Sequence, residues 1–336
     1  MNQARMTEWI AQFLLTDPPR AKSLVMTAFG DTVAAHGGTA WLGSLIALMA
    51  PFGINDRLLR TSVFRLVQEG WLVASRDGRR SNYAILPASQ ARFERANRRI
   101  YAPIDMPWDG NWTLVFTSTH GVDAPQRTAL RKELLWEGFA MLAPGLFGHP
   151  GLHAELLDDI LVRTGLHGRV PVCRASDLAG VSARPLHELV AECWDLREIS
   201  GRYEQFCAQF QPLLALLENR LEPGGLEPSR LEPSGPALSG PALSGLELGA
   251  EQAFVVRTLL IHAYRRVQLH DPMLPVALLS EPWAGSRAYG LTQAIYRLVA
   301  ERSEHHVMTL LRGEDPQANP ANESFRARFG GLRRPG

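Results

Sequence analysis

The chain has 336 residues, 46% of them hydrophobic and 21% charged, with 35 Lys and Arg against 34 Asp and Glu, for a net charge of +1. That balance excludes a disordered or collagen-like chain and leaves room for two or three globular domains. Three widely spaced cysteines, Cys173, Cys193 and Cys207, form no CxxC pair, and no apolar run approaches the roughly 20 residues that span a bilayer. The opening MNQARMTEWIAQFLL lacks the charged start, long apolar core and small-residue cleavage site of a secretory signal, so a soluble, cytoplasmic protein with reduced thiols is expected.

In chain order, Trp9, Ile10, Phe13 and Leu14 make one face of a short helix that Thr16-Asp17-Pro18-Pro19 ends. A core helix from Ala21 to Ala35 buries Leu24, Val25, Ala28 and Phe29, and Gly37-Gly38 terminates it. An apolar helix from Ala40 to Ala50 stops at Pro51, which cannot continue a helix without clashing and losing a hydrogen bond. Phe52-Gly53-Ile54 is a tight turn, and Asn55 is the N-cap of a helix from Asp56 to Glu69. Two strands then flank Asp77-Gly78, a dipeptide suited to a two-residue hairpin. This order is that of a winged helix-turn-helix, whose second helix can enter a DNA major groove.

At 100° per residue, Leu58, Leu59, Ser62, Val63, Leu66 and Val67 fall on one side of that second helix. The opposite arc holds Arg57, Arg60, Thr61, Phe64, Arg65 and Gln68, with no acid among them. Arginine can pair bidentately with guanine, glutamine with adenine, and phenylalanine can touch a thymine methyl. The alternative is a solvated basic face with Phe64 folded against the wing. Residues 55–101 carry ten arginines and four acids, a local +6 on a nearly neutral chain, which is the footprint of phosphate binding. Arg76, Arg79 and Arg80, with Ser81 beside them, lie at the hairpin tip. Arg92, Arg95 and Arg99 make a stripe on the next helix, either tracking phosphates or simply facing solvent.

Beyond a linker marked by Ala102-Pro103 and Met106-Pro107, the pattern changes to strand (Trp112 to Ser118), helix (to Glu137, burying Leu130, Leu134 and Leu135), strand (Phe139 to Leu142), strand (Leu146-Phe147), helix (Leu152 to Arg163) and strand (Val170 to Cys173). Asp123 and Gln126 form a capping box for the first of these helices. The order βαββαβ is ferredoxin-like. Similar domains occur in metal-dependent nucleases that place an aspartate near the end of the first strand, but TLVFTSTHG carries no carboxylate before Asp123. Residues 176–220 are expected to be helical. Six pentads from Leu221 to Ala250 are too rich in Pro and Gly for helix or strand and read as a disordered insertion. Helices resume at Glu251 to Leu269 and Ser286 to Leu311, with an irregular tail from Arg312. His149 and His153 could share a metal, but Pro150-Gly151 between them disfavours one helical face, so surface histidines are expected there and at His305-His306. Nucleophile, zinc-protease and nucleotide-loop motifs are absent, and neither catalysis, a bound metal nor a cofactor is expected.

Several stretches resemble the PaaX family of phenylacetate-degradation repressors: SLVMTAFGD at Ser23 to Asp31, GGTAWLGSLIALMAPFGIN at Gly37 to Asn55, RTSVFRLVQEGWL at Arg60 to Leu72, GRRSNY at Gly78 to Tyr83, and HAYRRVQLHDPMLP at His262 to Pro275. The resemblance implies an α+β multidomain repressor: an N-terminal extension (1–20), a winged helix-turn-helix (21–101), a ferredoxin-like βαββαβ central domain (108–180), an all-α C-terminal domain (181–312) interrupted by the 221–250 insertion, and a tail (313–336). It implies a homodimer on double-stranded operator DNA, an inverted repeat, released by phenylacetyl-CoA or another aryl-CoA. Asn82 departs from the aromatic or Asp the family often has there. For such an effector, Arg265 and Arg266 could pair with phosphates beside His262, and Trp283 or Tyr289 could stack on a ring. Alternatively Arg266 pairs with Asp271 and Trp283 lies in the core. Two other readings stay open: a winged-helix regulator controlled by a protein partner, and a metal-dependent nuclease acting through the central domain.

Overall fold

The computed structural model describes residues 2–102, 108–151, 154–176, 186–218, 248–279 and 282–332. These form two compact units, one within Met1–Tyr101, Phe206–Tyr264 and Gly290–Gly336, the other within Ala102–Gln205 and Arg265–Tyr289. The elements are α1 (Asn2–Thr16), α2 (Ala21–Asp31), β1 (Thr39–Trp41), α3 (Leu42–Met49), α4 (Asp56–Gln68), β2 (Leu72–Asp77), β3 (Arg80–Ile85) and α5 (Pro87–Tyr101). Next come β4 (Asn111–Phe116), α6 (Ala124–Trp136), β5 (Ala140–Ala143), β6 (Leu146–Pro150), α7 (Ala154–Arg163) and β7 (Val172–Ser176). Five helices follow: α8 (Leu186–Cys193), α9 (Leu196–Leu217), α10 (Ala250–Gln268), α11 (Ala284–Glu314) and α12 (Glu323–Arg326).

In the first unit, Leu24, Val25, Ala28 and Phe29 are buried on α2, as their spacing demands, and α2 packs against α4. The helix is shorter than its apolar pattern: it ends at Asp31, and Val33–His36 tightens into a 3₁₀ turn closed by Gly37 at φ 92°. Ala40 and Trp41, expected to open the third helix, instead form β1, whose backbone pairs with β3 in a three-stranded sheet of order β1-β3-β2. Three residues are too few to show a strand's period. Trp9 and Phe13 of α1 pack, with tilted rings, against Phe210 of α9.

The second unit realises the βαββαβ order, with a four-stranded antiparallel sheet in which β4 lies between β6 and β7 and β5 occupies the far edge. Strand alternation sends Val115 and Phe147 into a core with Leu130, Leu134, Leu157 and Ile160 of α6 and α7. Trp112 and Ala140 face the opposite side, against Val190 and Trp194. The Asp123–Gln126 capping box is present, Gln126 N–H donating to Asp123 Oδ1 at 2.7 Å. Leu135, expected in the core with Leu130 and Leu134, is instead exposed. His149 is also unlike its expectation. It is 3% exposed, its Nε2 lies 2.8 Å from the Pro272 carbonyl oxygen, and its ring packs on Phe139. His153 lies outside the described residues, as do nearly all of the pentads. His306 is half-buried over Phe254 rather than fully solvated, and burial lowers its pKa against the pull of Glu251.

A further departure concerns the residues after Arg312. Helix α11 continues to Glu314, and α12 follows with Asn322 as its N-cap. Phe325, Arg328 and Phe329 are buried. They share a cluster with Asp31, which accepts Arg257 Nε at 2.8 Å, Arg328 Nη1 at 3.1 Å, Tyr101 Oη at 2.5 Å and Tyr296 Oη at 3.0 Å. Burial opposes ionisation of Asp31, but the two guanidinium groups and two hydroxyls outweigh it and hold its pKa below the ordinary aspartate value. Arg257 Nη1 reaches Ser303 and Glu304, and Glu304 in turn binds His36. Among the described residues no single helix is long and apolar enough to cross a membrane.

Candidate nucleic-acid interface

Apolar side chains at Leu45, Leu48 and Met49 bury α3, which cannot pass Pro51 and tightens into a 3₁₀ turn at Ala50–Phe52. Gly53 takes φ 73°, a conformation glycine adopts without strain. Asn55 then caps α4, its side chain accepting from Leu58 N–H at 2.9 Å. The chain bends by 117° between 42–52 and 56–68. One face of α4, Leu59, Ser62, Val63 and Leu66, is buried. Leu58, placed on that face by the helical angle, is instead 45% exposed at the helix start.

The other face is outward. Arg57, Arg60, Thr61, Phe64, Arg65 and Gln68 are all exposed, and Phe64 is 58% exposed rather than folded against the hairpin. They are not equally available. Arg60 is held by Asp56 through Nε–Oδ1 at 2.7 Å and Nη2–Oδ2 at 3.2 Å. Thr61 Oγ1 donates to the Arg57 carbonyl at 2.9 Å, which fixes its rotamer.

The hairpin turn is displaced by one residue from the expected Asp77-Gly78. Asp77 pairs with Arg80, leaving Gly78 and Arg79 as the loop, with Gly78 at φ 56°. Arg76 and Arg79 are exposed, and Ser81 is partly buried opposite Arg76. Arg80 is turned back. Its guanidinium carbon lies 4.2 Å from the centre of the Trp41 ring, and Nη2 donates to Glu314 Oε2 at 2.6 Å and to the Glu314 carbonyl oxygen. Asn82 accepts from Thr39 Oγ1 at 2.8 Å, so its role is to join β1 to β3. The arginines of α5 do not form one stripe: Arg92 stacks on Trp71, while Arg95 is buried.

The residues considered for an effector are divided between the units. His262 is buried in the first, its Nδ1 3.0 Å from Thr27 Oγ1, tying α10 to α2. Arg265 is half-buried and Arg266 exposed in the second. Trp283 is buried there edge-on to Tyr203, with ring centroids 6.1 Å apart. Asp271 accepts from Tyr203 Oη at 2.7 Å and from Met273 N–H at 2.7 Å. Sequence reasoning passed over Tyr203 and Gln268, whose Oε1 lies 2.5 Å from that hydroxyl. It also passed over Asp31, although a carboxylate in an apolar stripe with Leu24 and Ala28 demands a buried cation.

Fold and site together define a multidomain protein of mixed helix and sheet, basic on one helical face, and its centre matches the "PaaX protein central Cas2-like domain" over residues 105–190. The "PaaX-like protein" model matches 20–86 and the "PaaX-like protein C-terminal domain" model matches 239–309. The transcriptional repressor PaaX of Escherichia coli (strain K12) is 36% identical over 317 residues, covering 94% of this chain and 92% of that protein. The chain belongs to the PaaX family. Among solved structures, the uncharacterized protein Rv0674 from Mycobacterium tuberculosis is 25% identical over 84% of this chain and 96% of its own, with a TM-score of 0.47.

Proposed function

We propose that this protein is a transcriptional repressor of a phenylacetate-type aromatic-catabolism operon, binding double-stranded operator DNA through a winged helix-turn-helix at residues 21–101. The observation that carries the reading is the outward face of α4, three arginines with Thr61, Phe64 and Gln68, on a helix whose other face is buried and whose start is capped. A bend of 117° from the preceding helix suits a helix-turn-helix. The 36% identity to a named transcriptional repressor supports the same assignment. Arg57, Arg60, Thr61, Phe64, Arg65 and Gln68 read base edges; Arg79 and Ser81 meet backbone, and Arg80 joins them only when it gives up Glu314. A homodimer would present two such helices to an inverted repeat, with half-sites one helical turn or a multiple apart.

In this reading an aryl-CoA, phenylacetyl-CoA in the simplest case, binds the DNA-incompetent form better and so releases the operator, since a ligand acts only through differential affinity. Arg265 and Arg266 would meet its phosphates, while His262 and Trp283 act through their packing on Thr27 and Tyr203. No enzymatic step is assigned to the central domain. The first carboxylate after β4, Asp123, is already committed to capping α6.

The test is fluorescence anisotropy of the full chain on its own upstream intergenic duplex, with phenylacetyl-CoA, free phenylacetate and CoA added separately. Release by phenylacetyl-CoA alone is expected. Tight binding unmoved by all three would keep the DNA-binding assignment and discard that effector, leaving another acyl-CoA or a protein partner as the signal.

A further inference from the structure

Arg80 opens β3 directly after the Gly78-Arg79 loop, where a hairpin arginine would meet a DNA phosphate, yet its guanidinium is spent inside the chain. The Nη2 group donates both to the side chain and to the carbonyl oxygen of Glu314, the last residue of α11, while the guanidinium plane rests on Trp41. The fit is built from both sides. Gly43 is the residue against which the Glu314 carboxylate lies, and a Cβ there would collide with it. Ser44 Oγ donates to the Leu310 carbonyl at 3.1 Å, and Asn322 N–H donates to the Ala35 carbonyl at 2.9 Å, so the end of α11 and the chain after it run along residues 35–44. A carboxylate at a helix C-terminus is opposed by the partial negative charge of the last carbonyls, and Arg80 relieves both at once.

We propose that Glu314 is a phosphate mimic: it occupies the donors of Arg80 that a DNA backbone oxygen would otherwise take, so that the end of α11 sets the hairpin's contribution to duplex affinity. This rests on the DNA-binding reading above and adds a residue to it. The side chains of Arg80 and Glu314 are 47% and 39% exposed, so a phosphate can reach the pair and compete for it. The bound state exchanges one charge-assisted partner for another, and an exposed pair is weak enough to be exchanged. Any change that moves the end of α11 away from Gly43 frees Arg80; any change that seats it withdraws one cation from the interface. The occupant of the released arginine is a phosphodiester oxygen of double-stranded DNA.

The experiment measures affinity and its salt dependence for the full chain, wild type, Glu314→Gln, Glu314→Ala, Arg80→Ala and the Arg80→Ala/Glu314→Gln double variant, on the upstream duplex and on a random duplex of equal length. Both Glu314 variants are expected to bind both duplexes about two- to fivefold more tightly, the change that loss of an exposed ion pair allows. The slope of log affinity against log salt is expected to steepen by up to about 0.9 as one further phosphate is neutralised. In the Arg80→Ala background Glu314→Gln is expected to change nothing. Unchanged or weaker binding by folded Glu314 variants, with wild type bound, overturns the mimic and leaves the DNA-binding assignment standing. Wild type that binds neither duplex overturns both. A thermal melt of each variant separates lost affinity from lost fold.

Discussion

Within one helical face, arginines with the same chemistry have different amounts to give. Arg57 and Arg65 project from α4 with exposed side chains, whereas Arg60 is paired twice with Asp56 one turn back. Arg57→Ala or Arg65→Ala is expected to cost about 1–3 kcal/mol on the operator wherever the arginine reads guanine, and little on random duplex. Arg60→Ala is expected to cost less, because its bond to Asp56 must first be given up. Arg79→Ala should weaken both duplexes alike and flatten the salt slope by about one unit; anisotropy across a salt series checks all four. The exposed residues of α4 were legible because the helical angle separates arginines from leucines without knowledge of the rest of the chain. The fate of Arg80 was not legible. Its partner Glu314 is 234 residues away, and no local pattern announces a pairing over that separation.

At the scale of elements, what was legible had a local cause and what was missed had a distant one. The end of α3 at Pro51, the cap at Asn55 and the capping box at Asp123 are written in a few consecutive residues, and each is present. Strand β1 is three residues long and exists because β3 offers it backbone partners. Helix α12 and the burial of Phe325 and Phe329 depend on a cleft made by other segments, so the polar residues around them read as an irregular tail. The burial of His149 has the same distant cause: its acceptor, the Pro272 carbonyl, lies 123 residues on. Asn55→Ala removes the hydrogen bond that starts α4 and is expected to destabilise the protein by about 0.5–2 kcal/mol. Urea unfolding followed by circular dichroism measures that loss. Operator affinity should fall as well, since fraying at Asp56 and Arg57 displaces the first contacts; an unchanged affinity would move the reading surface away from the start of α4.

For the molecule as a whole, the Asp31 cluster joins segments from both ends of the sequence. Asp31 on α2, Tyr101 on α5, Arg257 on α10, Tyr296 on α11 and Arg328 beyond α12 meet with little access to water. Removing one partner from such a group leaves an uncompensated buried charge, so Asp31→Asn is expected to cost about 3–5 kcal/mol. The pH dependence has a definite sign. Desolvation raises the pKa values of Asp31 and Glu304, but their cationic and hydrogen-bonding partners prevail and lower both below the ordinary 3.8 and 4.5. A carboxylate with a depressed folded pKa contributes stability that is fully present above the unfolded value and is lost as pH falls through the folded one. Urea midpoints should therefore stay level on this account down to about pH 5 and drop below about pH 4. The drop should be shallower in Asp31→Asn; an identical acid profile in that variant would remove Asp31 from the account.

The same cluster orders events in time. Arg328 donates to the Asp31 carbonyl across 297 positions. At a synthesis rate of about 5–20 residues per second, that interval is roughly 15–60 s of translation. During it a nascent chain has α2, α3 and α4 but lacks the guanidinium that completes the base of α2. The ribosome thus delivers the basic helix α4 early and the last partner of Asp31 late. The contact that joins Arg328 to the end of α2 can therefore form only after the basic helix has long left the ribosome.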